Sequence, residues 1–381
     1  MDFSLTEEQV MFQKMIRDFA GRELEPVAAR IDESEEFPAE NIRKMAGLGL
    51  FGITIDEKYG GSGGDMVQLA IATEEIARAC AATSAICMAS LSLATYPIYA
   101  FGTEEQKQRF IPPLAQGGQL ACFALTESAA GSDATAVETT ATRRDKNYVL
   151  NGSKLFITNG AEADVAVVFA TLDRTQGHRA ITAFIVEKGT RGFLVGKKEK
   201  KLGIRASSTT QLTFDDCVVP AFNRLGEEGK GFRIAMNAID SSRISVAAQA
   251  VGIARAAFEA SLKYARERKQ FGKPIVEHQA IGWMLADMAT QIDAARLLSL
   301  RAAWLKDRGL PFVKEAAMAK LFASEAAMQI SIKAIQVFGG YGYSKDYPVE
   351  RYMRDAKITE IYEGTSEMQR MTILAQLLRE S

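Results

Sequence analysis

Apolar positions recur at helical spacing through most of the first 120 residues. Val10, Phe12, Met15, Ile16 and Phe19 share one face, and Thr6 with Gln9 fits a capping box at the start of that helix. Further helices are predicted near residues 39–48, 65–81, 83–100 and 104–115. Between the first two of these, Lys58-Tyr59-Gly60-Gly61-Ser62-Gly63-Gly64 reads as a flexible turn; it lacks the Lys-Ser/Thr of a phosphate loop and no clear strand precedes it. No window approaches the apolar length of a membrane span.

From about residue 121 the period changes. Asn151-Gly152, between Tyr148-Val149-Leu150 and Leu155-Phe156-Ile157, is a hairpin signal. Ala163 to Leu172 and Ala180 to Val186 are apolar, β-branched runs, and Thr210 to Phe214 alternates. This block predicts a small antiparallel β-domain ending near Pro220. Helical periodicity returns at Gly231 and covers roughly 231–267, 275–308 and 312–337. A last helix follows Ser366, which with Gln369 fits a capping box; Met368, Met371, Leu374 and Leu378 line one of its faces. The pattern predicts an α+β protein in three parts: an N-terminal helical domain over 1–120, a middle β-domain over 121–230 and a C-terminal four-helix bundle over 231–381. No strand-linked Gly-x-Gly-x-x-Gly fingerprint of a doubly wound nucleotide fold is present.

Composition narrows the chemistry. Lys plus Arg total 46 against 47 for Asp plus Glu, a near-neutral balance that argues against nucleic-acid partners and strongly anionic surfaces. Cys80, Cys87, Cys122 and Cys217 sit among apolar or small neighbours, without zinc-type spacing, and read as reduced core residues. The start of the chain lacks the pattern of a signal peptide, so a cytoplasmic protein is expected. His178 and His278 are the only histidines, which disfavours Ser-His-Asp hydrolysis and His-rich metal sites; acid–base work falls to carboxylates, Lys, Tyr or Cys.

Five segments have chemistry to offer, and each has a plain alternative. Phe123-Ala124-Leu125-Thr126-Glu127-Ser128-Ala129-Ala130-Gly131-Ser132-Asp133 suits a planar ligand rich in acceptors, or is a linker with capping residues. Phe156-Ile157-Thr158-Asn159-Gly160 puts an aromatic ring and a hydroxyl at alternate positions, fit for a flat ring system or for an ordinary core strand. Arg266-Glu267-Arg268-Lys269-Gln270-Phe271-Gly272 closes a long helix and offers Arg268 to a diphosphate, or is a solvated basic helix end. Gln336-Val337-Phe338-Gly339-Gly340-Tyr341-Gly342-Tyr343 lets a ligand approach the backbone, or is a glycine helix stop. Ile361-Tyr362-Glu363-Gly364-Thr365-Ser366-Glu367 places a carboxylate on a partly apolar turn, a candidate base with a raised pKa or a surface turn.

In this order, on an α-β-α pattern, these segments together with Arg354-Asp355-Ala356-Lys357 resemble the acyl-CoA dehydrogenase family, and within it the short-chain, butyryl-CoA type. The resemblance runs from Asp2-Phe3-Ser4-Leu5-Thr6-Glu7-Glu8 to the final helix. It implies FAD as cofactor. Phe123, Leu125, Thr126 and Ser132 would line the flavin, with Phe156, Ile157 and Thr158 packing on it and bonding near its N5. Arg268, Gln270, Phe271, Gln279, Gln336, Val337, Gly339 and Gly340 would hold the diphosphate and adenosine, Arg268 and Gln279 being supplied to a neighbouring subunit's flavin; Thr365 and Glu367 would contact the same cofactor. Ser132, Asp240, Arg243 and Gly364 would contact the acyl-CoA.

Glu363 would be the base. Some relatives carry the base just before the residue equivalent to Arg243, but Ser242 stands there in this chain. The implied reaction is removal of an α-proton by Glu363 and loss of a β-hydride to flavin N5, giving a trans-2-enoyl-CoA, with electrons passing to electron-transferring flavoprotein from a homotetramer. The acyl pocket floor would lie in Ala85 to Tyr96, which holds no Arg or Lys, so a glutaryl substrate is disfavoured; Ala85 and Ala89 leave room for a C4 to C6, branched or alicyclic chain. Reduction of an enoyl-CoA, a glutaryl-CoA-type activity and a catalytically silent acyl-CoA-binding member are the alternatives.

Overall fold

The computed structural model describes residues 4–380, so Asp2 and Phe3 of the N-terminal signature lie outside them. Helices α1 (Glu7–Phe19), α2 (Glu25–Ser34), α3 (Ala39–Gly47), α4 (Met66–Ala79), α5 (Ala81–Met88), α6 (Tyr96–Phe101) and α7 (Glu104–Ala115) come first. The Thr6 capping box forms: Gln9 N–H donates to Thr6 Oγ1 at 3.2 Å and Thr6 N–H to Gln9 Oε1 at 3.1 Å. Two more boxes open α4 (Asp65 with Gln68) and α7 (Thr103 with Gln106). The glycine-rich segment 58–64 is a turn folded tightly onto residues 53–55, with Gly64 N–H donating to Ile53 O at 2.7 Å. A Cβ on Gly61 would meet Ile55 O at 2.1 Å, so the glycines serve close backbone approach.

One expectation is overturned here. Ala81–Phe101 is a continuous helix, π-helical over Ala89–Thr95, and it is long and apolar enough to cross a membrane. Its window is 72% buried within the chain itself, so this apolar surface belongs to the protein's own core.

The middle of the chain forms an eight-stranded sheet from β1 (Ala121–Ala124), β2 (Thr140–Arg144), β3 (Asn147–Thr158), β4 (Val165–Thr171), β5 (Ile181–Glu187), β6 (Phe193–Lys198), β7 (Thr209–Pro220) and β8 (Arg224–Leu225). The strand order is β6-β7-β3-β2-β4-β5-β8, with β1 paired to β4. The sheet is not purely antiparallel: β1 runs parallel to β4, and Thr140 bridges Thr171 in the parallel sense. Nor is Asn151-Gly152 a hairpin turn. It lies inside β3 at a register shift, and the chain reverses instead at Asp145, whose φ is 52°. Gly152 is needed for contact rather than for turning, since a Cβ there would meet Thr139 Oγ1 at 2.6 Å. The buried faces of β4 divide between two cores: Val165, Val167 and Phe169 join the helices, while Ala166, Val168 and Ala170 pack with Tyr148, Phe184 and Phe214. That two-sided burial is why its sequence is a continuous apolar run.

The C-terminal part is built on α8 (Gly231–Glu267), followed by the two-residue antiparallel pair β9 (Lys269–Gln270) and β10 (Lys273–Pro274), then α9 (Gln279–Asp307) and α10 (Val313–Phe338). A fifth helix, α11 (Val349–Thr359), short and strongly amphipathic, precedes α12 (Ser366–Glu380) and was not legible in the periodicity. The Ser366–Gln369 capping box does not form. Ser366 is the first helical residue with its hydroxyl unpartnered, Thr365 Oγ1 accepts from Met368 N–H at 3.4 Å, and Gln369 turns back to other work. Met371, Leu374 and Leu378 on the expected apolar face of α12 are exposed in the single chain.

Helix α8 is the axis of the molecule. Every residue from Ser241 to Ala257 is buried, and a Cβ on Gly252 would meet Glu74 O at 2.4 Å. Buried beside that contact, Arg255 pairs with Glu74 at 2.5 Å and Glu75 at 2.8 Å, while Arg296 reaches Glu74 at 2.8 Å and Arg17 reaches Glu75 at 2.9 Å. This network joins the N-terminal helices to the C-terminal ones. Arg255→Met strands buried carboxylates and should cost about 3–5 kcal/mol, read as a lower urea midpoint than wild type at neutral pH; an unchanged midpoint would show that Arg17 and Arg296 satisfy both carboxylates alone.

Candidate functional site

A cavity of ≈ 370 Å³ opens where the three parts of the chain meet. One wall comes from the α5 region and the π-helical segment after it (Ala85, Met88, Ala89, Leu93), another from β1 and the loop after it (Phe123, Leu125, Thr126, Ser132), and a third from the end of β3 (Phe156, Ile157, Thr158). Helix α8 contributes Phe232, Met236, Ile239 and Arg243, and the α11–α12 turn closes it with Tyr362, Glu363 and Gly364.

The loop over 125–139 is held from beneath. Glu127 is buried and accepts from Lys154 Nζ at 2.6 Å, Glu138 N–H at 2.6 Å and Thr139 N–H at 3.0 Å. Lys154 also donates to Leu125 O at 3.1 Å. Burial works to raise the Glu127 carboxyl, but the Lys154 charge and these hydrogen bonds outweigh it and leave it lowered; burial brings Lys154 down to about 8. The loop's hydroxyls therefore face the cavity from a rigid seat. At the end of β3 a register shift between Lys154 and Ile157 throws Phe156 into left-handed backbone, φ 57°, with 65% of its surface exposed. A bulge of this kind re-aims a side chain away from the sheet.

Glu363 sits at φ 55° and Gly364 at φ 95°, a left-handed pair that turns the carboxylate into the cavity. The turn is tied on every side. Tyr362 OH donates to Gln249 Oε1, and Gln249 Nε2 donates to Ala81 O at 3.1 Å. Gln369 Nε2 donates to Glu363 O at 3.3 Å and Gly364 O at 2.8 Å, and Lys320 Nζ donates to Gly364 O at 2.7 Å. Ser242 Oγ donates to Glu363 Oε2. Asp240 is paired with Arg243 at 2.8 Å, and Arg243 in turn faces Gly364. Burial pushes the Glu363 carboxyl up to about 7 against the hydrogen bond from Ser242 and the charges of Lys320 and Arg243. A carboxylate so placed is a proton acceptor matched to neutral pH.

A second, open cleft of ≈ 660 Å³ shares no lining residue with the first. It contains Arg268, Gln270, Phe271, His278, Val337, Gly339, Gly340 and Tyr341. The guanidinium of Arg268 lies 5.5 Å over the Tyr341 ring, with no carboxylate at ion-pair distance among the described residues, and Phe271 is 93% exposed. Gly339 and Gly340 have open space where a Cβ would stand.

Three family models cover nearly the whole chain: "Acyl-CoA dehydrogenase, N-terminal domain" over residues 6–118, the middle domain over 122–217 and the C-terminal domain over 229–378. The chain belongs to the acyl-CoA dehydrogenase family. It is 53% identical over 379 residues to the short-chain specific acyl-CoA dehydrogenase of Clostridium acetobutylicum, covering 100% of both chains. It is 54% identical over 381 residues to the acryloyl-CoA reductase (NADH) of Anaerotignum propionicum, covering 100% of this chain and 96% of that one. The solved butyryl-CoA dehydrogenase of Megasphaera elsdenii matches it with a TM-score of 0.98 at 50% identity, covering 100% of both.

As a family member the chain is an oxidoreductase that uses a flavin, and its residues can be tested against that group. They fit. The first cavity combines an exposed ring on a strained bulge (Phe156), a flat apolar wall (Phe123, Leu125, Ile157) and hydroxyls (Thr126, Ser132, Thr158), and the open cleft offers an unpaired guanidinium beside bare glycine backbone. The structure gathers Phe123, Leu125, Thr126, Ser132, Phe156, Ile157 and Thr158 around Glu363, Gly364 and Arg243. It gathers Arg268, Gln270, Phe271, Val337, Gly339 and Gly340 elsewhere, in the second cleft. Exposed Gln279 and Gln336 lie in sequence beside residues of this cleft without lining it, and Thr365 and Glu367 sit at the start of α12 outside both.

Reading motifs missed Lys320, Gln369, Gln249 and the Glu127–Lys154 pair. Lys320 had one signal, a lone lysine on the face of α10 that carries Ala316, Ala317, Ala323 and Ala327.

The raised Glu363 carboxyl makes a pH prediction. The folded protein keeps a proton there between about pH 4.5 and 7 that the unfolded chain has lost, so this group's stabilising contribution is complete below 4.5 and vanishes as pH rises through 7. Relative to Glu363→Gln, the wild-type thermal midpoint should fall between pH 5 and pH 7.5 at constant ionic strength; parallel curves would place the carboxyl at an ordinary value. Asp355, raised to about 6 by burial, titrates in both proteins and cancels in the difference.

Proposed function

We propose that this protein catalyses α,β-dehydrogenation of a short acyl-CoA, with Glu363 as the base that takes the α-proton. The observation that carries the reading is the Glu363 carboxylate: pushed to about 7, it faces a cavity whose opposite wall is the ring and hydroxyls expected to seat a flavin. When bound, FAD supplies the two-electron acceptor for the hydride that leaves the β-carbon, and electron-transferring flavoprotein takes the electrons onward. An ordinary thioester α-proton is too weakly acidic for a carboxylate alone, so negative charge on the thioester oxygen must be stabilised. Among the described residues no carbonyl accepts from the Glu363 N–H, which leaves that donor free for the oxygen. Ionised Glu363 then receives the proton, and the left-handed turn keeps the carboxylate and its own N–H on the same substrate. Ser132, Arg243 and Gly364 border the path of the thioester, with Asp240 holding Arg243.

The end of the acyl pocket is apolar: Ala85, Met88, Ala89, Leu93, Phe232, Met236 and Ile239. Among the described residues, Arg243 is the sole cation lining the cavity, at the Glu363 end and already paired with Asp240. A terminal carboxylate would find no partner there, and each buried methylene contributes about 0.8 kcal/mol. Flavin bleaching with butyryl-, hexanoyl-, isobutyryl-, cyclohexanoyl- and glutaryl-CoA should therefore rank C4 to C6 chains first and glutaryl-CoA last in kcat/KM. Glu363→Gln should keep its yellow colour and lose turnover by about two orders of magnitude or more. A preference for glutaryl-CoA or for chains of about twelve carbons would show the pocket to be misread. The reverse reaction, reduction of a short enoyl-CoA, is the second reading, favoured by the 54% identity to an acryloyl-CoA reductase. In that direction protonated Glu363 delivers the proton, so the carboxyl near 7 serves both.

The two separated sites bear on assembly. We assign the Arg268 cleft, together with Gln279 and Gln336, to the diphosphate and adenosine of a neighbouring subunit's FAD in a homotetramer, a reading supported by its having no lining residue in common with the Glu363 cavity of the same chain. Arg268→Ala should then lose FAD and shift the protein to smaller species in analytical ultracentrifugation. A fully active monomer would refute the assignment.

A further inference from the structure

Among the described residues, Lys320 is the one fully buried charged side chain packed against the Glu363–Gly364 turn. It lies in the middle of α10, 0% exposed, and its one hydrogen bond among the described residues goes to Gly364 O at 2.7 Å. No carboxylate lies within ion-pair distance of it, again among the described residues. An ammonium held out of water with a single neutral acceptor is costly and is seldom retained for stability. We propose that Lys320 is a positioning residue for proton abstraction, clamping the Gly364 carbonyl so that the strained turn presents the Glu363 carboxylate to the substrate, and supplying the positive charge behind it that favours its ionised form. This rests on the reading of Glu363 as base.

The clamp has two jaws. Gln369, also 0% exposed, donates to the carbonyls of both Glu363 and Gly364, and Lys320 shares the second of these. Both φ values are positive in this turn, and Glu363 has a Cβ, so its backbone does not hold this shape unaided. Gln369 supplies geometry alone, whereas Lys320 adds charge. The charged and titratable groups facing Glu363 are few: Arg243 from α8, paired with Asp240; Lys320 from α10; Tyr362 on the turn itself; and Asp133 on the far wall of the cavity. Glu360 and Glu367 act on Lys320 from the flanks. Two cations offset burial of the Glu363 carboxylate, Lys320 first and then Arg243, which is itself engaged by Asp240. Burial in turn lowers Lys320 to about 8, so it is charged over the range in which Glu363 ionises.

The test is Lys320→Met, which matches the side chain's length without its charge or donors. It should fold with normal flavin content. Turnover with butyryl-CoA should fall by about ten- to a hundredfold with KM little changed, and the pH of half-maximal rate should rise by about one unit. Lys320→Gln, which keeps a donor for the carbonyl, should recover part of the rate but not the pH shift; it also carries the test if the methionine variant fails to fold. A residue that merely supports the fold would move the thermal midpoint and flavin content and leave the pH profile in place. A second measurement needs no substrate. The fall in thermal midpoint that depends on Glu363, taken as the difference from the matching Glu363→Gln background, should end near pH 7 in wild type and continue to higher pH in Lys320→Met, because loss of the cation raises the carboxyl further. Coincident windows together with an unshifted rate profile would overturn the proposal. Failure of the wild type to bleach with any acyl-CoA would instead sink the assigned reaction, while the midpoint comparison would still report on Lys320.

Discussion

A carboxylate that must gain and lose a proton near neutrality can sit neither in bulk water nor in an unrelieved apolar site. In water it stays near its ordinary value; buried alone it stays protonated. The Glu363 turn sits between these limits. Burial drives the carboxyl up, and a hydroxyl from Ser242 with charges from Arg243 and Lys320 pull it back. These groups come from α8 and α10, the turn itself hangs between α11 and α12, and Tyr362 ties it through Gln249 to the start of α5. The site exists because distant segments are pressed together at one strained turn.

The rest of the architecture keeps that meeting point in place. Helix α8 is buried all round where it passes the turn, and the Arg255 network fastens it to α4 through glycine-tight contact. Strand β4, buried on both faces, fixes the sheet against the helices. The buried Glu127–Lys154 pair then seats the 125–139 loop on β3, directly beside the bulge that turns Phe156 outward. Two devices on neighbouring parts of one strand thus shape the cavity wall formed by the end of β3 and the 125–139 loop.

The second cleft is open in the single chain. Phe271 and Tyr341 are well exposed in the cleft that holds Arg268, and Met371, Leu374 and Leu378 are exposed along α12. The Arg268 cleft is lined by none of the residues that line the Glu363 cavity.

Much of this was written in local sequence. The helices with capping boxes, the change of period near residue 121, the apolar run of β4 and the five motifs are properties of neighbouring residues, and neighbouring residues suffice to specify them. Glu363 was legible as the candidate base because family motifs record its position. Other features depended on residues far apart in the chain. Asn151-Gly152 has the chemistry of a turn, yet strand β7 and Thr139 hold it extended, so Asp145 turns instead. The Ser366 cap lost to Thr365 because Gln369 was needed at the Glu363 carbonyl. Ala81–Phe101 has the length and apolarity of a membrane span, and only the surrounding core decides that it is an interior helix. Lys320 shows the division most sharply. In sequence it is one lysine on an alanine-rich helix; its role appears only when tertiary packing removes it from water and sets its ammonium on the carbonyl of Gly364, because the energy of a charge depends on its surroundings and not on its neighbours in the chain.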